Sequence, residues 1–273
     1  MEMKGSGRPI VCLTAYDCPT AALLDEADLD VVLVGDSLGT VLLGHGNTTS
    51  VTMREMLHHT QAVSRGLKQA LLVADMPFGS YETSPEAAYR NAVRLIRQGG
   101  ADAVKLEGGR SVADTVKALT SRGISVMGHV GLMPQRAQAL GGYKVQGKTE
   151  KESLGILEDA RSLEAAGVFS VVLECIPEAL AEDITCHLRI PTIGIGAGPH
   201  CDGQIMVIAD LVGLTPGPHP KFVRRYADLA GTIRQAAVRF RDDVRAGRYP
   251  SEAESYHGLV RAGNPKSNVS GHL

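Results

Sequence analysis

The chain has no tryptophan and only 4% of its 273 residues are aromatic, so its core must be built from small aliphatic side chains. It has no charge excess either, with a formal net charge of -2 and a pI near 6.5. That leaves no basic field for nucleic acid or an anionic lipid surface, and favours a small substrate. No apolar run approaches the ~18 residues of a membrane span, and the amino-terminal Met1-Glu-Met-Lys-Gly-Ser-Gly-Arg-Pro9 lacks a signal-peptide core. The five cysteines, Cys12, Cys18, Cys175, Cys186 and Cys201, are odd in number, scattered and without metal-site spacing. They predict a reducing, cytoplasmic location.

What remains is 44% hydrophobic residues, 21% charged and 31 glycines, the composition of a folded globule with many tight loops. The length is close to the roughly 250 residues of a (β/α)8 barrel. One domain is therefore expected over residues 1–258, with a tail over 259–273.

Short aliphatic runs recur along the chain, alternating with helix signals. Strands are predicted at 10–15, 31–34, 71–75, 103–107, 125–130, 170–174 and 191–198, and a short eighth at 209–213 after a short helix at 203–208. Helix starts are marked by Pro19, by capping boxes Thr52/Glu55 and Thr149/Glu152, and by Ser84-Pro85. In the last case Ala88, Ala92, Leu95 and Ile96 follow on one face. Continuous apolar strands separated by helices imply a parallel sheet covered on both sides. The long glycine-rich loop over 38–51 reads as a cover for a site.

The strands end in reactive groups. Val31-Val-Leu-Val-Gly-Asp-Ser-Leu-Gly39 and Leu71-Leu-Val-Ala-Asp75 each deliver an aspartate, Ala103-Val-Lys-Leu-Glu107 a lysine and a glutamate, and Ser170-Val-Val-Leu-Glu174 another glutamate. Several such ends meeting at one face favour a closed barrel, the (β/α)8 or TIM architecture, over an open sheet. One strand-end aspartate is ordinarily a cap or loop anchor, but Asp36, Asp75 and Glu107 together would repel one another unless neutralised. Hard oxygen ligands of this kind suit magnesium.

Lys105 is read equally as a salt-bridge partner for these acids or as a grip on a substrate carboxylate. His129 is either a site residue or a buried histidine bonded to backbone. Glu174, partly desolvated at the end of an apolar strand, is a candidate general base. Gly194-Ile-Gly-Ala-Gly198 has the wrong spacing for a dinucleotide fold, His58-His59 is a poor metal pair, and Cys12 and Cys175 read as packing residues.

Taken together, these stretches resemble the ketopantoate hydroxymethyltransferase family over residues 3–256. The resemblance rests on Leu13-Thr-Ala-Tyr-Asp17, Val34-Gly-Asp-Ser-Leu-Gly39, Ala74-Asp-Met-Pro-Phe-Gly79, Lys105-Leu-Glu-Gly-Gly109 and Gly128-His-Val-Gly-Leu132. Gly141-Gly-Tyr-Lys-Val-Gln-Gly147, Leu173-Glu-Cys175, Ile193-Gly-Ile-Gly-Ala-Gly198 and Cys201-Asp-Gly-Gln204 complete it. It implies a (β/α)8 barrel that uses one Mg2+ per subunit, with 5,10-methylenetetrahydrofolate as co-substrate. The implied reaction adds a hydroxymethyl group to 3-methyl-2-oxobutanoate through a metal-stabilised enolate, giving 2-dehydropantoate in pantothenate and coenzyme A synthesis.

The implied metal ligands are Asp36, Asp75 and Glu107. The implied substrate contacts are Asp36, Ser37, Asp75, Lys105 and His129, and the implied base is Glu174. A homodecamer is the implied assembly, with no nucleic-acid or membrane partner. Asn47 and Met133 depart from the family pattern and bear on loop and folate contacts. The rival readings are a related lyase or mutase barrel acting on a 2-oxo acid, and a catalytically silent barrel that only binds one.

Overall fold

The computed structural model describes residues 3–137 and 141–256. The chain divides into two compact units, Met1–Ala227 and Asp228–Leu273. The expected tail over 259–273 lies outside the described residues.

In the first unit eight parallel strands close a barrel in chain order. They are β1 (Ile10–Thr14), β2 (Val31–Val34), β3 (Leu71–Asp75), β4 (Ala103–Lys105), β5 (Val126–Gly131), β6 (Ser170–Glu174), β7 (Thr192–Ile195) and β8 (Gly203–Met206). The helices between them are α1 (Cys18–Glu26), α2 (Leu38–Val41), α3 (Met53–Ser64), α4 (Pro85–Arg97), α5 (Ala113–Thr120), α6 (Glu150–Ala165) and α7 (Glu178–His187), with α8 (Ile208–Leu211) after β8. The second unit carries α9 (Leu229–Arg245) and a 3-10 turn at Glu252–Glu254.

The expected order of the last elements is reversed. Residues 203–206 form the strand and 208–211 the helix, because closure requires a partner for β1. Ile10, Val11, Cys12 and Leu13 pair with Gly203, Gln204, Ile205 and Met206.

Strand parity organises everything else. Successive strand side chains alternate between the two faces, and here one set points into the barrel: Ile10, Cys12, Val31, Leu33, Val73, Ala103, Met127, Val172, Ile193 and Ile205 form a closed apolar cluster. The other set packs under the helices in a larger core. α4 shows how the helical layer is held. Ser84 accepts a hydrogen bond from Ala87 N, Pro85 opens the first turn, and Ala88, Ala92 and Leu95 are wholly buried. Each fully buried aliphatic side chain of Leu or Val size contributes ~1.5–3 kcal/mol.

One buried acid serves the scaffold alone. Asp25, near the end of α1, accepts from the backbone N–H groups of Lys68, Gln69 and Ala70 at 3.0–3.1 Å. These bonds hold its carboxyl below the usual carboxylate range and fix the entry to β3. Asp25→Asn should therefore lower Tm by several degrees at pH 7. A carboxylate with a depressed folded pKa contributes stability above its unfolded value, about 3.9, and loses it as pH falls through the folded one. The difference between variant and parent should accordingly shrink below about pH 4 in thermal melts.

Candidate active site

Carrying the inward parity of each strand two residues further predicts the barrel's mouth. Cys12 leads to Thr14, Leu33 to Gly35, Val73 to Asp75, Ala103 to Lys105 and on to Glu107, Met127 to His129, Val172 to Glu174, and Ile193 to Ile195. All eight of the residues reached line a single cavity of about 770 Å³ at the carboxyl ends of the strands. Asp36 reaches the same cavity against parity: it shares the outward phase of Val34, and the turn after Gly35 swings it inward. A Cβ on Gly35 would lie 2.7 Å from Ser37 Oγ, so the turn has no room for a side chain there. Ser37 is set by Tyr16, whose hydroxyl lies 2.9 Å from its Oγ.

The charged groups form one connected set. Lys105 Nζ lies 2.7 Å from Asp75 Oδ1, a contact outside hydrogen-bond angles, so this buried oxygen has no hydrogen bond among the described residues. The other Asp75 oxygen accepts from Asp36 N at 3.0 Å. Lys105 Nζ is also 3.3 Å from His129 Nδ1. An ammonium only donates, so Nδ1 accepts and Nε2 carries the proton. That N–H faces Leu132 O at 2.9 Å and Glu174 Oε2 at 3.3 Å. His129 is thus bonded to backbone and Lys105 paired to an acid, and both line the cavity.

Glu107 sits just past the end of β4, with Oε1 3.7 Å from His129 Nδ1 and Oε2 accepting from Gln135 N at 3.1 Å. Glu174 is half-buried. Its position depends on Gly131, which pairs with it in the sheet at φ +94°. A Cβ on Gly131 would stand 2.3 Å from Glu174 O.

Burial dominates the electrostatics. It pushes the Asp36 carboxyl up to about 7, with the charge of Asp75 adding to the effect against Lys105 and Gln135. Glu107 is likewise raised by burial. Burial works against the charged form of Lys105, but Asp75, Glu107 and Asp36 outweigh it and hold the ammonium above its usual range. Three acids around one lysine leave the set short of positive charge. Among the described residues, no group of three or more His, Cys, Asp or Glu side chains could by itself hold a metal ion. The donors on hand for a hard cation are the carboxylate oxygens of Asp36, Asp75 and Glu107, to be completed by water or by oxygens of a bound molecule.

Some expectations need correction. Cys12 is buried inside the barrel, but Cys175 is half-buried and lines the cavity beside Glu174. It has φ +47°, and burial followed by the Glu174 charge pushes its thiol up to about 12. The loop over 38–51 folds into α2 and a 3-10 turn capped by Asn47, and none of its residues lines the cavity. Sequence reasoning also missed Gln135 and Tyr81, both buried against the acids, and the apolar outer wall formed by Tyr143, Ile176, Met206 and Phe222.

A closed parallel barrel whose reactive side chains converge at the carboxyl ends of its strands defines a (β/α)8 enzyme. The comparisons place it more closely. Residues 1–252 match the family model for ketopantoate hydroxymethyltransferase, and the chain belongs to that family. A 3-methyl-2-oxobutanoate hydroxymethyltransferase of Pelobacter propionicus is 53% identical over 257 residues, covering 94% of this chain and 95% of the relative. One from Pyrobaculum islandicum is 56% identical over 248 residues, covering 91% and 94%. Among solved structures, a phosphonopyruvate hydrolase complexed with oxalate and Mg2+ superposes with a TM-score of 0.59 at 14% identity, covering 93% of this chain and 89% of that one. That likeness is one of fold.

Proposed function

We propose that the chain transfers a hydroxymethyl group from 5,10-methylenetetrahydrofolate to 3-methyl-2-oxobutanoate, giving 2-dehydropantoate. The observation that carries this reading is the convergence of Asp36, Asp75 and Glu107 around Lys105, with Glu174 one imidazole away. The oxygen-rich donor set, in which Asp75 Oδ1 is ion-paired to Lys105 but accepts no hydrogen bond among the described residues, fits a divalent cation, taken to be Mg2+. When bound, that cation supplies a Lewis acid at the 2-oxo acid.

The chain's own groups do the rest. Lys105 offers a fixed positive charge to the substrate carboxylate, and Ser37 a hydroxyl. Glu174 accepts the C3 proton, leaving an enolate, beside His129, whose Nε2–H is bonded to Leu132 O and lies 3.3 Å from the carboxylate. Water adds to the methylene carbon of the folate and both C–N bonds break, releasing tetrahydrofolate and formaldehyde. The enolate carbon then adds to that carbonyl carbon, and the carbonyl oxygen takes up the proton from Glu174 to become the hydroxyl.

Cavity size supports a second, larger substrate. About 770 Å³ is several times the volume of a five-carbon acid, and the outer part is lined by Tyr143 and Phe222 with Lys144 and Lys221 nearby. An aromatic ring system with an anionic tail suits such a wall. The related lyase and mutase reading is separated from this one by dependence on the folate one-carbon donor. A homo-oligomer, specifically a decamer, in the cytoplasm completes the reading. The exposed apolar stripe of Leu229, Ile233, Phe240 and Val244 on α9 supports association with another chain, while the decamer follows from the family resemblance and the location from the cysteine pattern.

The test is a product assay with 3-methyl-2-oxobutanoate. Product should require both the folate donor and Mg2+, and a chelator should stop it reversibly. Turnover without folate, or undiminished after chelation, would refute the proposal.

A further inference from the structure

Gln135 occupies an unusual place. It sits in the 3-10 turn Pro134–Arg136 after β5, is 4% exposed, and uses its backbone N–H and both ends of its side-chain amide. Its side-chain Nε2 donates to Asp36 Oδ2 at 2.9 Å and to Met76 O at 3.1 Å. Its backbone N–H donates to Glu107 Oε2 at 3.1 Å. Its Oε1 accepts from the buried Tyr81 hydroxyl at 2.6 Å, and that hydroxyl accepts in turn from Glu107 N at 3.3 Å. Because Met76 O can only accept, the amide orientation is fixed. The bonds therefore run in one direction: Glu107 N–H to Tyr81 hydroxyl, Tyr81 hydroxyl to Gln135 Oε1, Gln135 Nε2–H to Asp36. Such chains polarise each link in turn.

A single residue from the loop after β5 thus ties together the exits of β2, β3 and β4. The effect on the acids is selective. Asp36 has Oδ2 bound to Gln135, Glu107 has Oε2 bound to Gln135, and Asp75 has Oδ2 bound to Asp36 N. In each carboxylate one oxygen is tethered to a protein N–H, so its other oxygen has a fixed direction. Among the described residues no hydrogen bond reaches Asp36 Oδ1. The bond to Glu107 comes from the backbone, but the bond to Asp36 comes from the side chain, and a core glutamine kept only for stability would have no need to take one oxygen of an acid and leave the second to the cavity.

We infer that Gln135, braced by Tyr81, is a positioning residue that sets the separation and orientation of Asp36 and Glu107 for a divalent cation. The inference rests on the proposed cation site. Groups that orient a metal's carboxylate ligands are each worth about 10–100-fold in affinity or activity.

The test compares the parent protein with Gln135→Met, which keeps the volume and removes all three side-chain bonds, and Tyr81→Phe, which removes the brace together with that hydroxyl's bonds to the Glu107 backbone. Asp36→Asn serves as the control. Cation affinity is read by titration with Mg2+ and with Mn2+ in the absence of substrates, alongside cation-free Tm and the split between kcat and KM. Q135M should bind either cation about 10–100-fold more weakly, and Y81F should shift the same way by less.

In Y81F the cation-free Tm should fall by a few degrees, because the buried Glu107 N–H loses its acceptor, while the 3-methyl-2-oxobutanoate KM measured at saturating cation should be little changed. A purely structural role would lower Tm and leave affinity alone. If D36N loses cation binding while Q135M and Y81F bind as the parent does, the positioning role is overturned and the cation site stands. If the parent itself binds neither ion, both the site and this inference fall.

Discussion

Replacing Glu174 with glutamine is expected to slow exchange of the C3 hydrogen of 3-methyl-2-oxobutanoate with solvent by about 10²–10⁴-fold, the range assigned to a positioned general base. The substitution is nearly isosteric. His129 Nε2–H keeps its bond to Leu132 O, and the amide fills the space of the carboxylate 3.3 Å away, so the wall of the cavity keeps its shape. What the amide cannot do is take a proton. Asp36, Asp75 and Glu107 are untouched, and Mg2+ affinity should change little. Exchange is measured by proton NMR in D2O with Mg2+ and without folate, which isolates proton removal from the carbon transfer that follows. Product formation should fall by a similar factor. If exchange persists at the parental rate, the base is another group, and Glu174 is demoted to a partner of His129.

The same residue shows how far sequence reading extends. Val172 faces the barrel interior and Glu174 lies two residues on, so parity alone sends it to the mouth. The argument is identical for Val73 and Asp75, for Ala103, Lys105 and Glu107, and for Met127 and His129. These positions were legible because a buried strand tolerates a charge only where the sheet ends.

Asp36 was found for a partly wrong reason. It follows an apolar strand, but its phase is outward, and only the tight turn at Gly35 brings it round. Gln135 and Tyr81 left no such trace. An amide in a loop and a tyrosine among loop residues carry no periodicity, and their role exists only once three strand exits are neighbours. The inversion of strand and helix over 203–211 has a simpler origin. A four-residue apolar run has too few turns or alternations to declare its period, and barrel closure settles the matter from the far end of the chain.

Lys105 carries the second large effect. Among the described residues its ammonium is the cation set among Asp75, Glu107 and Asp36, and both it and Asp75 are almost wholly buried. Removing one partner from a buried charge set leaves the other uncompensated, at about 3–5 kcal/mol. For a chain of this length that is a fall in Tm of roughly 6–20 °C. Lys105→Met should show this loss at pH 8 without added metal.

The sign of the pH dependence follows from the acids. Asp36 already has a folded pKa raised to about 7 against about 3.9 unfolded, and loss of the lysine raises it further. A group with a raised folded pKa contributes stability at low pH that is lost as pH rises through the folded value. The deficit of K105M should therefore narrow between pH 8 and pH 6. Divalent metal should act in the same direction. The ammonium competes for the oxygens a cation would use, so K105M should bind Mg2+ at least as tightly as the parent, and added Mg2+ should recover much of the lost Tm. Substrate binding should not recover with it: the KM for 3-methyl-2-oxobutanoate should stay raised at saturating Mg2+, because the grip on the substrate carboxylate is gone. An unchanged Tm at pH 8, or a deficit that widens on acidification, would mean that the three acids are neutralised by something other than Lys105.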